Sequence, residues 1–280
     1  MTEKRSRDDF EVINPGPEHF VAIQELCKKV YPFTKPWSLG QLEAHNSYFP
    51  EGQLIIVEKG TDHVIGLAFS LIISWDDYSP QDNWQDFTSS GFFHNHNPKK
   101  GKTLYGAEVM VDPEYRGLGL GKMLYKSREE IAAKYGLTRI RAGARLRGYS
   151  KYKDKYSPEE YVKKVYEKEI FDPTLSFQLN LGFVPLDVAR NYLFNDPESL
   201  GFAAVIEWLN PQTAREKDFK RQKENVDFFL AHQRLNVEHL PKELRRVVRK
   251  MTYLLGRVIK EQEGSAFYDK VESYRKSLKP

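Results

Sequence analysis

The chain has 280 residues, 40% of them hydrophobic, and a formal net charge of +4. That is enough apolar content for a full core and excludes a disordered chain. The longest apolar run, Val64 to Ile73, falls far short of the roughly 20 residues a bilayer span needs, and the first ten residues lack the apolar centre of a signal peptide, so a soluble cytoplasmic protein without membrane association is expected. Cys27 is the single cysteine, which rules out an intrachain disulfide. Its helical spacing with Phe20, Ile23 and Val30 makes it a core thiol rather than a nucleophile.

Residues 9–14 alternate like a strand, and Phe20, Ile23, Leu26, Cys27 and Val30 form one face of a helix whose first turn accommodates Pro17. A second short helix is entered at Ser38, and residues 53–60 and 63–73 read as two strands joined by a tight turn. Residues 74–101 form a long connection. Its first half holds Asp76, Asp77, Asp82 and Asp86 beside Trp75, Tyr78, Trp84 and Phe87, with no basic residue, a mixture that suits a cationic acceptor. His94 and His96 lie two apart with no Cys, Asp or Glu at ligand spacing, so no metal is expected.

A strand over residues 103–113 then runs into a glycine-rich turn and a helix from Gly121 to Tyr135, which Gly136 ends, followed by a strand over residues 137–146; this has the order of a parallel crossover. Ser157, Pro158 and Glu160 carry a helix start with a capping box. A short helix over residues 174–181 ends at Gly182, and strands over residues 183–194 and 202–210 complete the domain.

After Pro211 the character changes. Residues 212–280 hold 17 Lys and Arg against 10 Asp and Glu, whereas the first 211 residues hold 26 against 29. One domain over 1–211 and a basic helical extension over 212–280 are the expected division. Leu244, Val247, Val248, Met251, Leu254, Leu255 and Val258 line one helical stripe, and Ser265 is placed to cap a last helix bearing Phe267, Val271, Tyr274 and Leu278. Such stripes need burial, and a homodimer through these helices would supply it. Nucleic-acid recognition rests on charge alone and is not expected.

The turn Arg116-Gly117-Leu118-Gly119-Leu120-Gly121-Lys122 fails two phosphate motifs. A Walker A loop needs four residues between its first glycine and the Gly-Lys pair, and then Ser or Thr; here three intervene and Met123 follows. The dinucleotide fingerprint fails because Lys122 stands where its third glycine should be. What remains is a run of backbone N–H groups at a helix N-terminus, reinforced by Arg116 and Lys122, which is suited to an anion.

With Val111-Asp112-Pro113-Glu114-Tyr115 before it, this turn resembles the acyl-CoA pyrophosphate loop of the GNAT superfamily of N-acetyltransferases; Arg116, Gly119 and Gly121 match the family pattern, and Gly182-Phe183 stands where the family's short helix ends. Residues 143–152, 157–165, 170–183, 191–199 and 206–211 look like the GNAT domain that bacteria fuse to nitrilase-type carbon-nitrogen hydrolases. With 69 residues left after Pro211, no hydrolase domain is expected. The resemblance covers about three quarters of the chain and implies an α/β (α+β) fold with a mixed central sheet of about seven strands flanked by helices.

It also implies acetyl-CoA as co-substrate and an amine acceptor, either a small molecule or a protein lysine or N-terminus. The N–H groups of Arg116, Gly117, Leu118, Gly119, Leu120, Gly121 and Lys122 would bind the pyrophosphate. Pantetheine would lie along Val109, Met110 and Val111, beside Phe177 and Gln178, with the amide of Met110 or Val111 as oxyanion donor. Glu108 is the candidate general base, since an alkylammonium must lose its proton before it attacks. Many family members carry a tyrosine as general acid where this chain has Gln178, which leaves another group such as Tyr192 or Tyr149 to donate, or solvent, since a thiolate of pKa about 8.5 is a tolerable leaving group. The same departure leaves open a non-catalytic acyl-CoA-binding module that acts through its C-terminal helices.

Overall fold

The computed structural model describes residues 6–32, 34–231 and 242–277. They divide into one compact unit through Gln233 and a second from Arg234. The first unit is built on seven strands: β1 (Phe10–Ile13), β2 (Gln53–Glu58), β3 (Val64–Ile73), β4 (Thr103–Val111), β5 (Arg139–Arg145), β6 (Val184–Ala189) and β7 (Ala203–Leu209). Their order in the sheet is β1-β2-β3-β4-β5-β7-β6. Only β4 and β5 pair in parallel, as the crossover reading requires. Every residue of β3 is buried, which is why its sequence is continuously apolar rather than alternating.

Helices cover both faces. One carries α1 (Phe20–Val30), α2 (Leu39–Tyr48) and α3 (Trp84–Thr88), packed on Ile55, Leu67, Phe69, Leu71 and Tyr105. The other carries α4 (Leu120–Lys134), α5 (Pro158–Tyr166) and α6 (Leu175–Leu179), packed on Ile56, Ala68, Leu104, Ile140 and Ile206. Ser38 and Ser157 each close a capping box, with Gln41 and Glu160. Helix α7 (Glu216–Ala231) also belongs to this unit. Its Phe229 joins the α4 core and Gln222 donates to Glu207 of β7, so the unit extends beyond the boundary expected at residue 211.

Two stretches depart from expectation. The long connection contains α3 and sends aromatic side chains into the core: Phe87 and Phe93 are buried, and Trp75 and Tyr78 stack on Phe87, which in turn stacks on Tyr105. Strand β6 stops at Ala189, because the chain turns through left-handed Asn191 and ties back through the Tyr192 N–H to Gly201 O.

In the second unit, α8 (Lys242–Ser277) breaks at Gly264, whose φ of 82° and ψ of 169° are non-helical. The break precedes Ser265. Tyr268 comes back against Gly256 and Lys260, so the two segments form a helical hairpin. Met251, Leu254, Leu255, Val258 and Phe267 are exposed. The side chains of Leu244, Val247, Val248 and Tyr274, and all of Leu278, lie outside the described residues. No described helix is long and apolar enough to cross a membrane.

Candidate active site

The site begins with a defect in the sheet. Strands β4 and β5 pair from Thr103 and Arg139 as far as Gly106 and Ala142, and then the ladder stops while β4 runs on to Val111. In the same place the register with β3 slips: Phe69 opposes Glu108 while Ser70 opposes Gly106, which leaves Ala107 as an extra residue. A bulge bends its strand and increases the local twist, so β4 swings away from β5 and opens a wedge.

A bulge leaves carbonyl groups without their strand partners, and unpaired buried ones are costly. Two side chains meet them here. The indole N–H of Trp84 donates to Ala107 O at 2.8 Å. Arg128, a fully buried arginine on α4, donates to Ser70 Oγ at 3.0 Å, to Phe69 O at 2.9 Å and to Glu108 O. Its guanidinium lies so close to β4 that a Cβ on Gly106 would sit 3.2 Å from Nη1, which accounts for the glycine. Sequence reading missed Arg128, although one signal was present: a charged residue on the apolar stripe of Leu124, Tyr125, Ile131 and Ala132.

Glu108 follows the bulge. Its half-buried carboxyl accepts the Val109 N–H at 3.1 Å, and burial raises its pKa to about 7 against the pull of that bond, Arg128 and Arg145. The bulge puts Glu108 on the α1 face with Met110. Cys27 and Tyr31 of the α1 side feel its charge, and burial takes the Cys27 thiol to about 12, as befits a core thiol. Tyr192 joins this face. Its ring lies directly on the backbone of Gly143 in β5, and its hydroxyl hydrogen-bonds that of Tyr105. Burial holds both phenols well above their ordinary values. Tyr149 is not part of this group, since it donates to Tyr156 O in the opposite core.

The ladder also indicates which amides face the wedge. Asp112 N–H donates to Ile65 O, and antiparallel pairs alternate, so Met110 turns its amide toward β3 whereas Val109 and Val111 turn theirs toward β5. Of the two donors expected, only Val111 is therefore free to face the gap.

At the end of β4 the chain enters the glycine turn. Asp112 caps the turn at Pro113–Tyr115 and is held by Lys29 at 2.8 Å. Gly117 and Gly119 have φ of 84° and 79°, which no residue with a side chain adopts freely. Gly119 is the N-cap of α4 and, lacking a side chain, supplies no capping bond. Among the described residues, the N–H groups of Gly117 to Lys122 make no hydrogen bond, and exposed Arg116 and Lys122 form no ion pair. This arrangement fits a pyrophosphate. Phe177 of α6 packs against Gly121, and Gln178 beside it donates to Tyr125 Oη at 2.7 Å.

Other expected features have structural uses. His96 accepts the Ile72 N–H and stacks on Phe49, and burial lowers its pKa to about 4; His94 stacks on Phe92. Asp82 and Asp86 bond backbone N–H groups of their own turns, while Asp76 and Asp77 are exposed. The loop after β6 is fastened to β5 by Arg145, which forks onto Asp196 and reaches Glu198.

Comparison with known proteins agrees with this geometry. Residues 20–148 match the acetyltransferase (GNAT) family. The uncharacterized N-acetyltransferase YkwB of Bacillus subtilis is 38% identical over 194 residues, covering 69% of this chain and 84% of that protein. The probable hydrolase YhcX of the same organism is 38% identical over 214 residues, or 75% of this chain, but the chain spans only 41% of its length. Among solved structures, the loading GNATL domain of CurA from Lyngbya majuscula superposes with a TM-score of 0.61 at 19% identity, covering 72% of this chain and 98% of that one. A GNAT-like decarboxylase, GphF, in complex with isobutyryl-CoA gives 0.59 at 17% identity, with coverage of 71% and 99%. With the split between β4 and β5, the bulge and the glycine turn all in place, the chain belongs to the GNAT family of acetyltransferases.

Proposed function

We propose that the protein is an N-acetyltransferase that moves an acetyl group from acetyl-CoA to a primary amine by direct attack on the thioester in a ternary complex. One observation carries this reading: where β4 parts from β5, a half-buried carboxyl with a pKa of about 7 stands at one end of the parted stretch and a turn of unpaired N–H groups at the other.

The N–H groups of residues 117–122, with the side chains of Arg116 and Lys122, hold the pyrophosphate, while the Arg116 amide is turned to Pro113 O. Pantetheine lies along Val109 to Val111 on the wedge side, flanked by Phe177 and Gln178, and the Val111 amide donates to the thioester oxygen. Acetyl-CoA supplies the activated acyl group. Glu108 takes the proton of the incoming ammonium, and its raised pKa makes it a stronger base than an ordinary carboxylate while leaving it ionised at pH 8. The acceptor comes from the face bearing Glu108 and Tyr192. Exposed Asp76 and Asp77 on that side support a cationic acceptor such as a lysine side chain, a protein N-terminus or a polyamine.

The exposed Met251, Leu254 and Leu255 favour a second reading, in which the helical hairpin mediates protein contacts such as a homodimer and the coenzyme site is not catalytic. One experiment separates the two readings. The protein is incubated at pH 8 with acetyl-CoA and a panel of cationic amines, CoA release is followed with a thiol reagent, and products are identified by mass spectrometry. Transfer predicts amine-dependent release that Glu108→Gln abolishes while acetyl-CoA binding persists. Binding with no release across the panel would favour the second reading.

A further inference from the structure

Direct transfer leaves one proton without a donor. When the amine attacks the carbonyl carbon and the C–S bond breaks, Glu108 has received the amine's proton on the α1 face, and the departing thiolate must take another from elsewhere. Tyr192 is poorly suited to give it. Its hydroxyl is engaged with Tyr105 on the acceptor face, whereas α4 and its glycine turn stand on the opposite face, from which the coenzyme enters.

On the α4 face one phenol stands out. Tyr125 lies one turn into α4 beyond the glycine turn, buried between Phe177 and Phe183, and its oxygen accepts a hydrogen bond from Gln178 Nε2 at 2.7 Å. The Arg128 guanidinium, the same group that bonds Glu108 O at the bulge, sits 5.2 Å from the centre of its ring. Both neighbours favour the phenolate and oppose the effect of burial, which raises this pKa. The Tyr125 hydroxyl hydrogen has no acceptor among the described residues. Gln178 has a polar atom to spare as well: it is 3% exposed, and its Oε1 is buried without a hydrogen-bond partner among the described residues. A buried amide that spends only one end on a neighbour points to a ligand group for the other.

We infer that Tyr125 is the general acid of the transfer, positioned by Gln178 and Arg128, and that it donates its proton to the coenzyme sulfur as the thioester bond breaks. The C–S electron pair goes to sulfur, the proton moves from Tyr125 Oη to sulfur, the second proton of the attacking nitrogen leaves to solvent as the amide forms, and the phenolate left behind is held by the Gln178 Nε2–H and the Arg128 charge until solvent returns a proton on CoA release. Gln178 Oε1 is then free to accept from an amide N–H of the pantetheine arm. A phenol thus serves from α4 rather than from α6, where glutamine stands. This assignment rests on the coenzyme reading above.

The test uses free CoA and no acceptor. The full chain is saturated with CoA, and the bound thiol is titrated by its thiolate absorbance in wild type, Tyr125→Phe and Gln178→Met, with melting curves as folding controls. A hydrogen bond from Tyr125 lowers the thiol pKa, so Tyr125→Phe is expected to raise it by about one unit, a tenfold change in the ionisation constant, with CoA affinity nearly unchanged. Gln178→Met should move it the same way by less, and it decides the matter if Tyr125→Phe fails to fold. An unchanged thiol pKa in a folded variant that binds CoA overturns the role of Tyr125. Absence of CoA binding to the wild type overturns the coenzyme reading itself, and the assignment falls with it.

Discussion

Replacing Glu108 with Gln should abolish transfer and yet stabilise the fold, and the gain should depend on pH. The carboxyl titrates at about 7 in the folded protein against an ordinary value of 4.5, and the difference corresponds to about 3 kcal/mol. The sign follows from which state holds the proton. Below pH 4.5 both states are protonated and burial costs nothing. Between 4.5 and 7 the unfolded chain has lost a proton that the folded protein retains, so stability falls as pH rises, and the full cost is reached above 7. Glutamine is neutral throughout, and its Oε1 can still accept the Val109 N–H. Relative to wild type, the variant should therefore gain little at pH 4.5 and at most about 3 kcal/mol at pH 8.5. For a unit of this size that is a rise of about 5–10 °C in melting temperature. Thermal unfolding followed by circular dichroism at the two pH values measures it. A difference in melting temperature that stays constant between pH 4.5 and pH 8.5 would refute the claim that a strained carboxylate is kept at the wedge for its basicity. A gain confined to high pH, together with a loss of about 10²-fold or more in transfer rate, would establish the stability–activity trade-off at this residue.

Arg128→Met removes the donor shared by Ser70, Phe69 and Glu108, and should destabilise the fold by about 3–5 kcal/mol in urea unfolding, because three buried acceptors lose their partner. If enough of that variant folds to be assayed, the acidic limb of its rate profile should move to higher pH, since Arg128 is one of the groups that hold the Glu108 pKa down. Trp84→Phe keeps the aromatic packing but leaves Ala107 O unpaired, for an expected loss of about 1–2 kcal/mol. Replacing Asp76 and Asp77 together with Asn should raise KM for a cationic amine several-fold and leave acetyl-CoA affinity unchanged; equal loss of both would remove the basis for a cationic acceptor.

Much of the fold was legible because its signals are local. The apolar run of β3, the caps at Ser38 and Ser157, and the glycines that end α4 and α6 each declare a strand or a helix boundary within a few residues. The glycine turn was legible for the same reason: its left-handed glycines and the helix that follows lie within one short segment. The wedge was not. It depends on a one-residue slip between β3 and β4 and on an arginine twenty residues later that meets the stranded carbonyls, a coupling that no periodicity reports. The connection over residues 74–101 misled in the opposite direction. Its residues read as a connection without regular structure, but Trp84 and Phe87 lie on a helix tied to β4 by a hydrogen bond and by stacking. Tyr125 and Gln178, far apart in sequence, became a pair only when α6 was seen to pack beside the first turns of α4.

Titration calorimetry of acetyl-CoA into the wild type, Gly119→Ala and Gly119→Glu tests the central claim most directly. Gly119 has φ of 79°, and a Cβ there would meet only Arg7 Cδ, at an ordinary contact of 4.0 Å, so alanine reports chiefly the backbone strain, whereas glutamate adds a negative charge at the N-cap of α4. If the turn holds the pyrophosphate, the wild type binds, Gly119→Ala binds more weakly and Gly119→Glu loses binding beyond the loss seen with alanine. Equal affinity for the glutamate and alanine variants, or no binding by the wild type, would contradict the assignment of this turn to the coenzyme.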